Sequence, residues 1–195
     1  MTLSVQKPSN PGVLPNQVLG MLIFIGTEVM FFSALISAYL VIHSQRFEWP
    51  PAGQPRLPVE ATAFNTVVLL LSWVVLFLAG RQAAKKADHR KVRLLIGLSI
   101  LLGAFFVVFQ GYEWVRLVGF GLTMASSVYG ALFYLIIGSH AVHVTAALGF
   151  LVSVWFRIGR DNGKGMDPAV FDAARILWTF VVGVWPLLYY LVYIS

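Results

Sequence analysis

The stretch SSVYGALFYLIIGSHAVHVTAALGFLVSVW, residues Ser126 to Trp155, decides how this chain folds. It carries no charged residue, and a helix needs only about 20 apolar residues to cross a bilayer. Two histidines, His140 and His143, stand three residues apart near its middle and therefore share one helix face. Imidazole groups are energetically unfavourable at bilayer depth, so both are candidate functional residues.

The composition outside this stretch is also that of a membrane protein. Of the 195 residues, 58% are hydrophobic and 11% are charged, whereas soluble domains carry about 25% charged residues. The net charge of +6 comes mainly from short loops between apolar segments, which is typical of membrane topology and argues against a nucleic-acid partner. Cysteine is absent, which excludes a disulfide framework and a thiolate metal site.

Five segments are apolar and long enough to span a membrane, which predicts an all-α, five-helix transmembrane bundle forming one domain over residues 1–195. The forty residues between Arg116 and Arg157 carry no charge and are too many for one ordinary span. We therefore assign GFGLTMAS to a loop that precedes a long, tilted fourth helix. The predicted helices are about 17–42, 61–80, 94–114, 126–156 and 173–194.

Lysine and arginine are distributed unequally between the two sides of this bundle. Eleven fall on the side of the N-terminus, and three (Arg46, Arg56 and Arg116) fall on the other side. Because positive residues accumulate on the cytoplasmic side, the N-terminus is predicted to be cytoplasmic and the C-terminus external. The proline-rich loop between the first two helices is predicted to be ordered and external.

Small residues recur at helical spacing and predict close helix contacts. The longest such seam is Ala141, Thr145, Gly149 and Ser153 in the fourth helix. Shorter pairs occur in the other helices, among them Ser99 with Gly103 and Thr179 with Gly183.

Two histidines on one helix face could ligate a metal or a haem, but the sequence contains few residues that could serve as further ligands. The other histidines are His43, at a helix end, and His89, in a basic loop. We therefore expect His140 and His143 to be neutral and hydrogen-bonded to groups of neighbouring helices. Tyr134, in the interior of the same helix, is a candidate donor to these polar groups.

One acid, Glu28, lies midway along the first helix, where an ionised carboxylate costs on the order of 2.5–3.5 kcal/mol. We expect it to be protonated, paired, or facing a polar cavity or lipid headgroup. A proton relay would need several such groups in series, and Glu113 near the external end of the third helix is the other candidate. A hydrogen-bonding or lipid-contacting role is therefore favoured.

Four motifs in order resemble the cytochrome c oxidase subunit III family. The first is GLTMASSVYGALFYLIIGSHAVHV, with a Tyr-Gly, a Phe-Tyr pair and a His-x-x-His-Val. The others are TEVMFF in the first helix, QGYEW at the end of the third and AARILWTFVVGVWPLLYYLVY at the C-terminus. The similarity covers nearly the whole chain from Val18 and matches the short, five-helix bacterial form.

The last helix departs from the family pattern. Members commonly have Trp-His-Phe-Val-Asp where this chain has Trp178, Thr179, Phe180, Val181 and Val182. A polar network through that helix is therefore in doubt. The lipid cleft of the seven-helix members is also incomplete here, unless a partner subunit supplies the two missing helices.

The resemblance implies an accessory, non-redox subunit of a haem–copper terminal oxidase in the bacterial cytoplasmic membrane. Such a subunit packs on subunit I, accompanies subunit II, binds phospholipid, and supports oxygen reduction and proton uptake in aerobic electron transport. A larger respiratory supercomplex is a further partner class. Haem and copper are expected in the partner subunits. The resemblance implies no catalytic, cofactor or metal residue, and structural or lipid-contacting polar roles for Glu28, Glu113, Tyr134, His140, His143 and Trp178.

Two other functions stay open at this point. Within the family, the chain could serve a quinol oxidase or a nitric-oxide-reductase-associated relative instead. Outside it, the chain could be a stand-alone transporter built around Glu28, although the paired broken helices or internal repeats typical of transporters are not evident.

Overall fold

Five long helices form the structure, a computed structural model that describes residues 14–45, 47–51, 53–85, 88–160 and 167–194. All five are long and apolar enough to cross a membrane, which confirms the predicted all-α class. The helices are α1 (Asn16–Ser44), α2 (Val59–Ala84), α3 (His89–Gly119), α4 (Val128–Arg160) and α5 (Pro168–Tyr189), and α5 ends in a π-helical turn (Tyr190–Ile194).

The helices extend beyond most of the boundaries predicted from hydropathy. The first four predicted ranges, 17–42, 61–80, 94–114 and 126–156, stop two to five residues short of the observed C-terminal helix ends. The first three also begin one to five residues late, whereas the fourth begins two residues before the observed start. The fifth helix begins at Pro168 rather than at residue 173. Polar caps explain part of this difference, because the Asp88 and Asp167 carboxylates accept the backbone N–H groups of Arg90 and Ala169. The helices continue beyond the apolar runs into polar and charged residues, which hydropathy alone does not assign to a span.

Successive helices run in opposite directions, which divides the bundle into two ends. α1 and α5 both begin at one end, where the Gln17 side chain of α1 contacts Asp167. We call this the basic end, because most of the described cations lie there: Arg81, Lys85, Arg90, Lys91, Arg93, Arg157, Arg160 and Arg175. At the opposite end, the Tyr189 hydroxyl donates to the Val59 carbonyl. Arg56 and Arg116 are the described cations of that end.

The core lies where α2, α3 and α5 meet. Gly103 allows the ring of Trp178 to pack against α3, because a Cβ atom there would lie 2.6 Å from Trp178 Cη2. Ser99 Oγ donates to the Ser72 carbonyl, 2.8 Å away, across the α2–α3 contact. The small pair Ser99 and Gly103 therefore marks a close helix approach, as its spacing predicts.

The longer small-residue seam on α4 was predicted wrongly as a tight contact. Thr145 and Gly149 are exposed, and a Cβ atom on Gly149 would meet no other atom within 4 Å. On α5, Gly183 is likewise exposed with no atom within 4 Å of an added Cβ, whereas Thr179 is exposed but contacts Trp73 of α2. α4 instead packs through a larger face with spacings of three and four residues: His140, Val144, Ala147, Leu151, Val154 and Ile158.

α1 is the peripheral helix of the bundle. It contacts α5 and α4, and its buried residues are Val18, Phe32 and Tyr39. Large apolar side chains on its other faces are exposed, including Ile23 and Met30, which is 73% exposed. The helix therefore depends on a few contacts to hold its position in this chain.

The proline-rich loop between α1 and α2 is ordered where it is described. Trp49 packs edge-on against Tyr39 and His43 of α1 and against Tyr129 of α4. Gln54 accepts a hydrogen bond from Ser126 in the α3–α4 loop. These contacts confirm the predicted order of the loop.

Candidate functional site

Midway along α1 and α4, an acid and an imidazole from the two helices are in contact. Glu28 Oε2 of α1 lies 2.7 Å from His143 Nε2 of α4. The two side chains are 15% and 19% exposed, respectively. Of the environments considered for Glu28, the structure selects a paired one.

The geometry of His143 fixes the number of protons in this pair. Its Nδ1 atom lies 2.7 Å from the Ser139 carbonyl oxygen. A carbonyl only accepts, so Nδ1 carries a hydrogen and Nε2 faces Glu28. A hydrogen bond between Nε2 and Oε2 then requires one proton, held either by the imidazole or by the carboxyl group. Both arrangements give the pair zero net charge, which suits its position inside the bundle.

Two phenylalanines of the TEVMFF motif line this pair. The Phe32 ring lies edge-on to His143, with centroids 5.2 Å apart, and Phe31 lies 6.1 Å from it. Phe32 is also buried, and it follows Glu28 by one helical turn. The motif therefore supplies both the acid and the apolar wall beside it.

His140 does not join the ion pair. It is 1% exposed and stacks on Trp185 of α5, with ring centroids 5.0 Å apart and planes 25° from parallel. Neither ring nitrogen has a hydrogen-bond partner within the described part of the chain. The expectation that both histidines are hydrogen-bonded is therefore confirmed for His143 and wrong for His140.

Glu113 forms a separate buried contact between α3 and α2. Its Oε2 atom lies 3.0 Å from Thr62 Oγ1, which lies 2.9 Å from the Pro58 carbonyl. One hydroxyl hydrogen cannot be donated to two acceptors. The Thr62 hydroxyl lies within donating distance of both acceptors, so it links Glu113 of α3 to the first turn of α2. Glu113 thus lies in a different cluster from the histidines.

The remaining two predicted polar residues have structural contacts. The Tyr134 hydroxyl donates to the Leu122 carbonyl, 2.9 Å away, so it holds the α3–α4 loop rather than the polar groups it was expected to serve. Trp178 is fully buried, and its Nε1 donates to Ser72 Oγ. In the part of α5 that departs from the family pattern, Thr179 Oγ1 accepts a hydrogen bond from Trp73 Nε1. Val182 is buried in the core.

A row of buried polar residues on α2 was not predicted from the sequence. Thr62, Asn65, Thr66 and Ser72 are all buried and lie on one face of a helix that carries few charges. Asn65 Nδ2 donates to the Phe106 carbonyl of α3, and Trp185 Nε1 of α5 donates to Thr66 Oγ1. The helical spacing of hydroxyl and amide residues in an apolar span is the signal that predicts such a face.

A metal centre is not formed by the residues that the structure describes. Among them, no three His, Cys, Asp or Glu side chains are grouped as a metal ion requires. What the arrangement can do is hold one proton between Glu28 and His143, join α1 to α4 through that pair, and join α2 to α3 through Thr62 and Glu113.

Comparisons with known proteins give one family for nearly the whole chain. The family model described as cytochrome c oxidase subunit III matches residues 7–195. A cytochrome c oxidase subunit 3 of Corynebacterium diphtheriae is 37% identical over 187 residues, which cover 92% of this chain and 88% of that protein. Probable cytochrome c oxidase subunits 3 from Nocardia farcinica and Mycobacterium leprae are 36% and 33% identical. They cover 88% and 92% of this chain, and 84% and 88% of their own lengths.

Proposed function

Because the chain belongs to the cytochrome c oxidase subunit III family, we propose that it is the non-redox membrane subunit of a respiratory haem–copper oxidase. The observation that carries this proposal is the agreement between the family match over residues 7–195 and the paired motif residues Glu28 and His143. Haem and copper belong to the partner subunits, and this chain contributes packing, lipid binding and polar groups.

The partners in this proposal are oxidase subunits I and II. The exposed apolar faces of α1 support a covered position for that helix in the assembled complex. The exposed small residues Thr145 and Gly149 on α4 and Gly183 on α5 support a second close contact, because such residues let neighbouring helices approach. A partner chain on these faces would take the place of the two helices that longer family members carry.

A bound phospholipid is supported by a groove of about 670 Å³ at the basic end, between α3 and α4. Arg90 and Arg93 stand at its polar side, and Leu94, Leu98 and Leu101 line its length. The Arg93 guanidinium lies 4.5 Å from the Trp155 ring centroid, so the side chain is held beside the groove. Two arginines at the membrane surface suit an anionic phosphate, and the leucines suit an acyl chain.

A supporting role in proton uptake is the finer part of this proposal. The Glu28–His143 pair shares one proton, and its position can change without changing the net charge. Taking up a further proton would leave the pair with a charge of +1, so a role in proton uptake requires the pair to pass its own proton on as the new one arrives. The Phe31 and Phe32 rings lie beside His143 and give the pair an apolar wall.

We place the chain in a bacterial cytoplasmic membrane, with the basic end in the cytoplasm. The concentration of described cations at that end supports this orientation. The bacterial sources of the relatives support the compartment.

Cytochrome c is the electron donor we propose, in keeping with the names of the relatives. A quinol is the alternative donor. The neighbouring subunit II distinguishes them, because a copper-binding Cys pair there would indicate cytochrome c and its absence a quinol.

The proposed role is tested on oxidase prepared from a strain that lacks this chain. We expect the preparation to keep its haem spectrum and its initial oxygen consumption, but to lose activity sooner during turnover than the complete complex. Restoring the chain should restore the lifetime. Equal initial rates and equal lifetimes with and without the chain would contradict the supporting role.

A further inference from the structure

The Arg93 side chain is held against α4 at the basic end of the bundle. Its guanidinium lies over the ring of Trp155, 4.5 Å from the ring centroid, a position in which the aromatic face attracts a cation. The guanidinium also lies against the helix at Gly159, where an added Cβ atom would be 2.7 Å from both Cζ and Nη2. Contacts on two surfaces therefore restrict the orientation of the guanidinium.

Trp155 is itself held by α3. Its Nε1 atom donates to the Arg93 carbonyl, 3.1 Å away. Gly97 leaves room for the indole, because a Cβ atom there would lie 3.1 Å from Trp155 Nε1. Gly97, Trp155 and Gly159 thus form one support for the arginine, which we call the Arg93 platform.

The Nη end of this guanidinium is the part available to a ligand. Arg93 Nε is buried, so an anion must approach the Nη atoms instead. Arg93 lines the groove between α3 and α4, and no acidic side chain among the described residues forms an ion pair with it. A planar guanidinium in a fixed orientation can bind two oxygen atoms of one phosphate, which an ammonium group cannot reproduce.

The level of the platform favours a lipid as the source of that phosphate. Arg93 is four residues after the start of α3, and Gly159 is one residue before the end of α4. At about 1.5 Å per residue, they lie roughly 6 and 2 Å from these helix ends. Leu94, Leu98 and Leu101 line the groove from this level onward. A phosphate at Arg93 places an acyl chain on the leucines, whereas a free phosphate ion would leave them uncovered.

We propose that Arg93, held on its platform, selects anionic over zwitterionic phospholipids, an inference that rests on the phospholipid binding proposed above. The described residues that line the groove include two arginines and no acid. A headgroup with net negative charge is therefore favoured, and the ammonium group of a choline headgroup is repelled. Arg90 is exposed and contributes charge, whereas Arg93 contributes charge and a defined geometry.

Variants that keep the charge separate geometry from charge. Lysine and arginine attract anionic lipid about equally when only their charge acts. Arg93→Lys keeps the charge and removes the planar guanidinium, and Arg90→Lys is its matched control. Gly159→Ala keeps every charge and displaces the guanidinium, because the new methyl group would occupy its position. Gly149→Ala on the same helix is the second control, since no atom lies within 4 Å of the added carbon.

The measurement uses the intact oxidase complex in vesicles with equal amounts of phosphatidylglycerol and phosphatidylcholine. In parallel samples, one of the two lipids carries a photoreactive diazirine on its acyl chain, and mass spectrometry quantifies crosslinks to residues 94–101. We expect the unmodified chain to crosslink preferentially to phosphatidylglycerol. This preference should fall roughly tenfold in Arg93→Lys and Gly159→Ala, the factor for one hydrogen bond to a charged group. It should not change in the two controls.

Equal preferences in Arg93→Lys and Arg90→Lys would overturn the proposal, because the two arginines would then act through charge alone. An unchanged preference in Gly159→Ala would overturn the role of the platform, and equal crosslinking of both lipids to the unmodified chain would overturn the selectivity. Displacement of phosphatidylglycerol by inorganic phosphate would assign the site to the free ion. If neither lipid crosslinks to residues 94–101 of the unmodified chain, the phospholipid binding on which the inference rests is itself contradicted.

Discussion

His143 Nε2 lies 2.7 Å from Glu28 Oε2, and this contact joins the peripheral helix α1 to the long helix α4. The two residues belong to different sequence motifs, with two other helices between them along the chain. Because α1 buries few of its own side chains and packs mainly against α5, this polar contact is an additional tie between α1 and α4. The pair therefore links the TEVMFF motif to the His-x-x-His motif physically.

The first prediction concerns the strength of this link. Glu28→Leu and His143→Leu should each lower the thermal midpoint at which the chain dissociates from the complex. The double variant should lose less than the sum of the two, with a coupling of about 0.6–1.7 kcal/mol, the range of polar contacts in membranes. Thr27→Ala is the matched control, because the Thr27 hydroxyl bonds to Phe24 of its own helix. Strict additivity of the two losses would show that the contact does not stabilise the bundle.

A second prediction concerns the close approach at Gly103. In Gly103→Ala, the new methyl group would lie 2.6 Å from Trp178 Cη2 and 3.1 Å from Leu148 Cδ1. Trp178 is fully buried, so we expect a net loss of roughly 1–3 kcal/mol of stability. Gly183→Ala is the control, because no atom lies within 4 Å of the added carbon. A thermal midpoint for Gly103→Ala equal to that of the control would refute this packing.

The groove at the basic end gives a prediction about lipid. The double variant Arg90→Gln, Arg93→Gln should retain less phospholipid, which native mass spectrometry of the purified complex measures. Arg157→Gln serves as the control, because Arg157 is exposed at the same end and does not line the groove. If the double variant and the control retain equal amounts of lipid, the arginines do not bind the headgroup.

The orientation of the bundle can be measured directly, because the chain has no cysteine. Lys85 is exposed at the basic end and Glu48 is exposed at the opposite end. In whole cells, a membrane-impermeant maleimide should label the Glu48→Cys variant and not the Lys85→Cys variant. The reverse pattern would place the basic end outside.

Hydropathy alone predicts the five helices, since each apolar run is close to the thickness of a bilayer. It does not predict which faces of the helices meet, because relative rotation depends on packing between helices. The α4 seam shows this: its small residues suggested a buried face, but larger aliphatic residues form the contact. Tyr134 is a second example. Its hydroxyl donates to the Leu122 carbonyl in the α3–α4 loop, a partner that the sequence of α4 does not indicate.

The candidate site was predictable as a set of residues but not as a set of contacts. Glu28 and His143 stand out because ionisable groups are rare in apolar spans. Their pairing depends on the register of α1 against α4, which no local pattern encodes. His140 has the same local signal as His143, yet it faces a different neighbour because a step of three residues turns it toward α5.

The central claim is that this chain works as a subunit of a haem-bearing oxidase. The most direct measurement is purification of the tagged chain from native membranes in mild detergent, followed by a reduced-minus-oxidised difference spectrum and subunit quantification. We predict haem-bearing subunit I in equal amount with the chain. Isolation of the chain as a haem-free monomer with transport activity of its own would contradict the account.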